Sequence, residues 1–188
     1  AVYNENPDYI SNFAHSLGID YGEELYESAS IGGFEGISPI EMSAAYATFG
    51  RGGYYIEPYS FTKAENLQTG EIFEYKYEQT RVMSEETAYM ITDILISAAE
   101  SGVGGVEVSG TDIAAKSGTS NVDRTWAENN GVPTSATRDA WNVTYSPEYA
   151  IALWIGYDST SAENYLTVSV GNKVRSGVMK AVGSRVYS

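Results

Sequence analysis

The sequence contains no cysteine and a single histidine, His15. The first absence removes thiol catalysis, disulfide staples and cysteine-based metal clusters. The second leaves no Ser/His/Asp triad that does not pass through His15. Basic residues are scarce, 11 against 25 acidic ones, and the resulting net charge of −14 repels nucleic-acid phosphates and anionic membrane surfaces. Long hydrophobic runs are missing too: the longest apolar stretch, Tyr149 to Tyr157, is about half the roughly 20 residues a transmembrane helix needs. The chain begins at Ala1 without a basic or apolar leader, so any targeting segment is expected outside this sequence and the chain is expected to be a piece of a longer protein. What is present suits a folded domain. With 188 residues, 43% hydrophobic and 13% aromatic but only 19% charged, the chain is too apolar for disorder and has the size of one domain.

Asn6-Pro7-Asp8 reads as an N-cap, an N1 proline and an acidic first turn, with Ile10, Phe13, Ala14 and Leu17 on one helical face before Gly18. His15 falls on the polar side of that helix, where a solvated role is expected. Glu23, Glu24 and Glu27 lack the alternating Asp/Asn pattern of a calcium loop and read as a solvated acidic face, so no metal is expected. Ser38-Pro39-Ile40-Glu41 is a capping box that starts a helix with Met42, Ala45, Tyr46 and Phe49 inward. Tyr54 to Ala64 and Gly70 to Tyr77 predict a hairpin, and Ser84-Glu85-Glu86 caps a helix with Ile91, Ile94, Leu95 and Ala98 inward. The glycines 102, 104 and 105 follow without a lysine-serine or lysine-threonine pair and read as a C-cap rather than a phosphate loop. Asn121 to Arg138 predicts a long polar loop, of a length that usually borders a functional site. Trp141 to Tyr145 and Tyr149 to Tyr157 predict two antiparallel strands, the second apolar on both faces and therefore central. Lys173 to Val186 closes as a helix with Val174, Val178, Ala181 and Val182 at core spacing.

The junction that carries chemistry is the apolar strand Ile113-Ala114-Ala115 running into Lys116-Ser117-Gly118-Thr119. A lysine supplies charge, a glycine lets a substrate approach the backbone, and a threonine offers a hydroxyl and an N–H to a carboxylate or developing oxyanion. These parts fit acyl transfer, although the same four residues are ordinary turn composition. Ser60-Phe61-Thr62-Lys63 matches the Ser-x-x-Lys pattern of a nucleophile. It is rejected because that chemistry needs serine and lysine on one helical face, whereas a segment following Pro58 reads as a strand. Asn142-Val143-Thr144 fits a glycosylation sequon but lies in a predicted buried strand. The 16 tyrosines fall mostly at core spacing rather than forming a glycan-stacking surface. Trp126 and Trp141 flank the long loop, as cleft lining or as core anchors.

Context gives the motif meaning. Gly32-Gly33, the run Gly36 to Phe49 with Gly52-Gly53, Lys116 to Asn121, and Arg138 to Glu148 continuing through Trp154-Ile155-Gly156-Tyr157-Asp158 together resemble the transpeptidase domain of class A, bifunctional penicillin-binding proteins, over nearly the whole chain. Asn142 stands where that family more usually has an aromatic residue. The resemblance implies an α/β (α+β) fold, an antiparallel sheet with helices on both faces. This chain, residues 1–188, would be the C-terminal half of one such domain. It implies that the nucleophilic serine with its lysine, and the Ser-x-Asn motif, precede Ala1, so no nucleophile is expected in this chain and the chain alone is expected to be inactive.

By the same resemblance, Lys116 and Thr119 are the catalytic candidates, and Ser117, Gly118, Thr119 and Ser120 the substrate-binding ones. The implied reaction is D,D-transpeptidation of peptidoglycan stem peptides through a serine acyl-enzyme that β-lactams trap, with no cofactor. The implied partners are stem peptides, β-lactams, the upstream half of the domain (as the same chain or a separate fragment), and an upstream glycosyltransferase domain and membrane anchor. The implied place is the outer face of a bacterial membrane. Two other readings stay open: a β-lactam-hydrolysing or β-lactam-sensing relative, and a non-catalytic wall-binding module.

Overall fold

Asn6 opens the first helix, α1 (Pro7–Ser16), by accepting the Tyr9 N–H on its side-chain oxygen at 3.1 Å. The structure, a computed structural model, describes residues 6–20 and 36–188; Glu23, Glu24, Glu27 and the Gly32-Gly33 pair lie outside the described residues. Of the predicted apolar face only Leu17 is buried, and Phe13 is exposed. His15 is exposed, its ring 4.0 Å from the Asp20 carboxylate.

The capping box forms as the sequence predicts. The Glu41 N–H reaches the Ser38 hydroxyl at 3.3 Å and the Glu41 carboxylate accepts the Ser38 N–H at 2.7 Å, which starts α2 (Pro39–Gly50). Its buried residues are Ala44, Ala45 and Thr48, while the Tyr46 and Phe49 rings lie against Tyr145. The face is rotated toward the small residues because they let the helix approach its neighbours closely.

The predicted hairpin is smaller than expected. Four short strands follow α2: β1 (Tyr54–Tyr55), β2 (Lys63–Glu65), β3 (Ile72–Glu74) and β4 (Thr80–Arg81). Only β2 pairs with β3, and β1 pairs with β4, since Pro58 interrupts the continuous strand that the composition suggests. Ser60 lies in a bend and Lys63 at the start of β2, both exposed and neither in a helix.

Helix α3 (Glu85–Glu100) is capped by Ser84, whose hydroxyl accepts the Thr87 N–H at 3.2 Å. Ala88, Leu95 and Ala99 are buried; Ile91 and Ile94, expected inward, are exposed with Tyr89 and Met90. Gly102, at φ +96°, closes the helix. Gly104 goes further than a cap, because a Cβ there would lie 2.9 Å from the Ala115 Cβ.

The main sheet has the order β5 (Ala114–Asn121), β6 (Ala136–Tyr145), β7 (Ala150–Gly156), all antiparallel, with β8 (Leu166–Thr167) on the far end of β6. Among the described residues β6 is therefore the middle strand, and β7, the segment read as central, has one neighbour. That segment is apolar on both faces because α2 packs on one side and the last helix, α5 (Val168–Val186), on the other; coverage of two faces does not count neighbours along the sheet. The predicted loop 121–138 also contains structure. Asp123 caps a short helix, α4 (Arg124–Asn129), and Val122, Ala127, Val132 and Ala136 make a small core with Trp126 and Tyr165 against it. Trp126 is thus an anchor.

Two layers cover the sheet. Ala114 and Tyr145 pack with Leu95 of α3 on one face, and Ile113 packs with Val106, Met179 and Tyr187 on the other. Helix α5 turns Gly171, Met179 and Gly183 inward and leaves Val174, Val178 and Val182 exposed, the reverse of the expected face. A Cβ at Gly183 would lie 2.8 Å from Val106, and one at Gly171 would lie 3.0 Å from the Ala140 Cβ.

Gly183→Val is expected to destabilise the fold by about 1–3 kcal/mol, as overpacking does, read as a lower denaturant midpoint. Ser38→Ala is expected to cost about 1 kcal/mol at neutral pH. The Ser38 hydroxyl and then its N–H hold the Glu41 carboxyl below the usual range. This contribution is full above the unfolded carboxyl value and is lost as pH falls through the lowered folded one. The gap between parent and Ser38→Ala in denaturation curves should therefore narrow on acidification below about pH 4.

Candidate functional site

Lys116, Ser117, Gly118, Thr119 and Ser120 all lie within β5, which continues through the motif to Asn121 rather than ending before it. Strand alternation sorts their side chains. Ile113 faces α5 and Ala114 faces α3, so Lys116 shares the α3 face while Ser117 and Thr119 share the α5 face. The structure confirms the last assignment, because the Thr119 hydroxyl oxygen accepts an N–H from Arg175 of α5 at 3.0 Å.

Among the described residues β5 has one strand neighbour, β6. The Ser120 N–H points toward that neighbour, donating to the Asp139 side chain at 3.3 Å across the ladder. Backbone groups alternate sides along a strand, so Gly118 shares this direction, and the N–H and C=O of Ser117 and Thr119 face the open edge. Lys116 agrees with that geometry: its Nζ curls over to donate to the Ser117 carbonyl at 2.6 Å. The open edge thus carries a cation and two main-chain amides in an extended row, the arrangement that binds an extended peptide by strand addition.

Gly118 has its own reason to be glycine, since a Cβ there would lie 3.3 Å from the Trp141 Cβ on β6. Trp141 is half-buried directly opposite it, on the Lys116 face. Behind the motif Asn142 is buried, donating its Nδ2 hydrogen to the Gly104 carbonyl at 3.1 Å while its Oδ1 has no partner. The sequon reading of Asn142 therefore meets a buried side chain.

The electrostatics run against the chain's overall charge. Among the described residues no carboxylate lies within 4.0 Å of Lys116 or Arg175. Burial lowers the proton affinity of Arg175, from a starting point so high that the group stays charged. The same residues converge no group of three or more metal-ligating side chains. A cleft of about 730 Å³ is lined by Ile40, Arg51, Tyr59, Pro147 and Tyr149 among others. It sits by the turn after Tyr145, at the opposite end of the sheet from Thr119. Sequence reasoning did not find Arg175. Its one signal was a spacing of four residues from Gly171 and Met179, the stripe that faces the sheet.

The chain matches the model of the penicillin binding protein transpeptidase domain over residues 5–180. It is 33% identical to penicillin-binding protein 1A/1B of Bacillus subtilis (strain 168) over 96% of this chain and 19% of that protein. It is 34% identical to penicillin-binding protein 1A of Streptococcus pneumoniae (strain ATCC BAA-255 / R6), over 93% of this chain and 24% of that protein. The chain thus spans about a fifth to a quarter of the length of these relatives. The structure of the penicillin-binding protein PonA1 from Mycobacterium tuberculosis superimposes with a TM-score of 0.74 at 23% identity, over 96% of this chain and 50% of that one.

The edge geometry is tested by amide exchange. Ser117 and Thr119 amides are expected to exchange rapidly and those of Gly118 and Ser120 slowly; the opposite alternation would turn the open edge around.

Proposed function

The chain belongs to the penicillin-binding protein transpeptidase family, and from that premise we propose that it supplies the substrate-binding edge of a serine D,D-transpeptidase whose nucleophile lies in an upstream segment. The observation that carries this reading is the open edge of β5, where Lys116 and the Thr119 N–H stand together.

In the proposed reaction the upstream serine attacks the penultimate D-alanyl carbonyl of a stem peptide, D-alanine leaves, and an amine of a neighbouring stem resolves the acyl-enzyme. A β-lactam enters the same edge as a donor mimic and stays on the serine. Lys116 leaves the Ser117 carbonyl and places its ammonium near the attacking and leaving groups, easing proton transfer through the Ser-x-Asn serine upstream. The Thr119 N–H joins the oxyanion hole, and its hydroxyl donates to the donor's carboxylate. Ser117 and Ser120 hold the strand's course, and Gly118 keeps the edge open beside Trp141.

The exposed valines of α5, the exposed Tyr89, Met90 and Ile94 of α3, and the outer edge of β7 support the reading that an upstream half of the same domain completes the sheet and covers these faces. An upstream glycosyltransferase domain and a membrane anchor belong to the same proposal. Among the described residues no helix is long and apolar enough to cross a membrane. Penicillin-binding proteins act on the cell wall outside the cytoplasm, where this edge would meet its substrates.

Lys116→Ala in the full-length protein is expected to slow acylation by fluorescent penicillin by about 10²–10⁴-fold, the range of general acid–base groups. An unchanged rate would remove the role given to Lys116. Label on a serine of residues 1–188, rather than upstream, would redraw the site.

A further inference from the structure

Arg175 stands out from its helix. The α5 stripe that faces the sheet runs Gly171, Arg175, Met179, Gly183, and Arg175 is the only charged residue in it. Glycine on either side lets the helix lie close, so the guanidinium reaches the motif strand from behind. One nitrogen, Nη1, donates to the Gly118 carbonyl at 2.8 Å, to the Thr119 hydroxyl oxygen at 3.0 Å and to the Trp141 carbonyl at 3.3 Å. That nitrogen has two hydrogens for three acceptors, so the group joins β5 to β6 at the one register position where Gly118 faces Trp141.

Two consequences follow from donor chemistry. A hydroxyl whose oxygen accepts from a guanidinium has its own hydrogen turned outward and polarised for donation. With no carboxylate within 4.0 Å among the described residues, the positive charge of Arg175 is unspent at the strand. A half-buried, unneutralised cation beside an outward-pointing O–H attracts a carboxylate and repels a second donor.

We propose that Arg175 is a positioning residue for carboxylate recognition: it fixes the Thr119 hydroxyl as a donor and lends its charge to the ligand carboxylate, without touching the reacting carbonyl. The inference rests on the reading of β5 as the transpeptidase edge, and it assigns to α5 a part in selecting ligands that carry a free carboxylate. The carboxylate is that of a stem-peptide terminus or of a β-lactam, the two sharing one chemistry.

The test uses the full-length protein and two probes, benzylpenicillin and its methyl ester, in which the carboxylate is blocked. Arg175→Gln is expected to lower the second-order acylation rate by benzylpenicillin by about tenfold or more, as loss of a charge-assisted contact does, and to leave the slow reaction of the ester within about twofold. Thr119→Val, which removes the hydroxyl that Arg175 orients, is also expected to slow acylation by benzylpenicillin, and Arg175→Gln added to it should cost less than it does in the parent, because only the charge remains to be lost. Arg175→Lys, which keeps the charge, should recover part of the loss and guards against a variant that fails to fold. An equal loss with both probes would make Arg175 a structural clamp and overturn the proposal, as would no change with either. If the parent protein takes up no penicillin at all, the transpeptidase reading itself falls, an outcome distinct from these.

Discussion

Helix α5 lies so near its neighbours that one methyl group at Gly171 would meet Ala140 of β6, and one at Gly183 would meet Val106 of the segment before β5, within 3.0 Å. That spacing governs much of what the structure does. A helix held at the usual distance by valines would keep a long side chain away from the strand carbonyls. With glycines at the contacts, the Arg175 guanidinium reaches Gly118 and Trp141. The same closeness buries Met179 and Tyr187, and Tyr187 shares a hydrogen bond with the Thr144 hydroxyl at 2.9 Å. Packing geometry and the chemistry of the site are therefore set together.

Strand β6 distributes this constraint. Tyr145 of β6 faces the α2–α3 layer, where its hydroxyl pairs with Thr92 at 3.0 Å, and its neighbour Thr144 faces α5. Among the described residues β5 pairs with β6 alone, and its other side is open. An open edge strand is ordinarily a liability, a template for unintended pairing. Here the glycine at position 118 and the charge at position 116 keep the edge narrow and polar.

Local rules carried far in the sequence, and side-chain apolarity carried less far. The caps at Asn6, Ser38 and Ser84 formed as their hydrogen-bonding chemistry requires, and the Lys116 to Ser120 motif fell at a strand edge. The valines of α5 misled, because Val174, Val178 and Val182 repeat with the same four-residue step as Gly171, Met179 and Gly183; only the close approach, a tertiary fact, decides which stripe goes in. Ile94 misled for a related reason, since an apolar residue is drawn to any interior. The loop after Asn121 looked structureless because its helix is six residues long and its core consists of small side chains. Arg175 was invisible because a lone arginine on a helix carries no signal until its neighbours across the sheet are known.

The edge of β5 presents main-chain groups, and this has a consequence for how such a surface changes over time. Side-chain contacts are altered one codon at a time, but an amide is present whichever residue occupies a position, proline excepted. On the proposed reading of this edge, selection for a different ligand preference has to move the row as a whole. The irregularity between Ser120 and Asn121, where the pairing with β6 skips from Asp139 to Thr137, is the place where inserting or removing a residue re-aims the strand without breaking its inner pairs. Inherited variation in ligand choice would then gather at this bulge and its borders rather than within the motif.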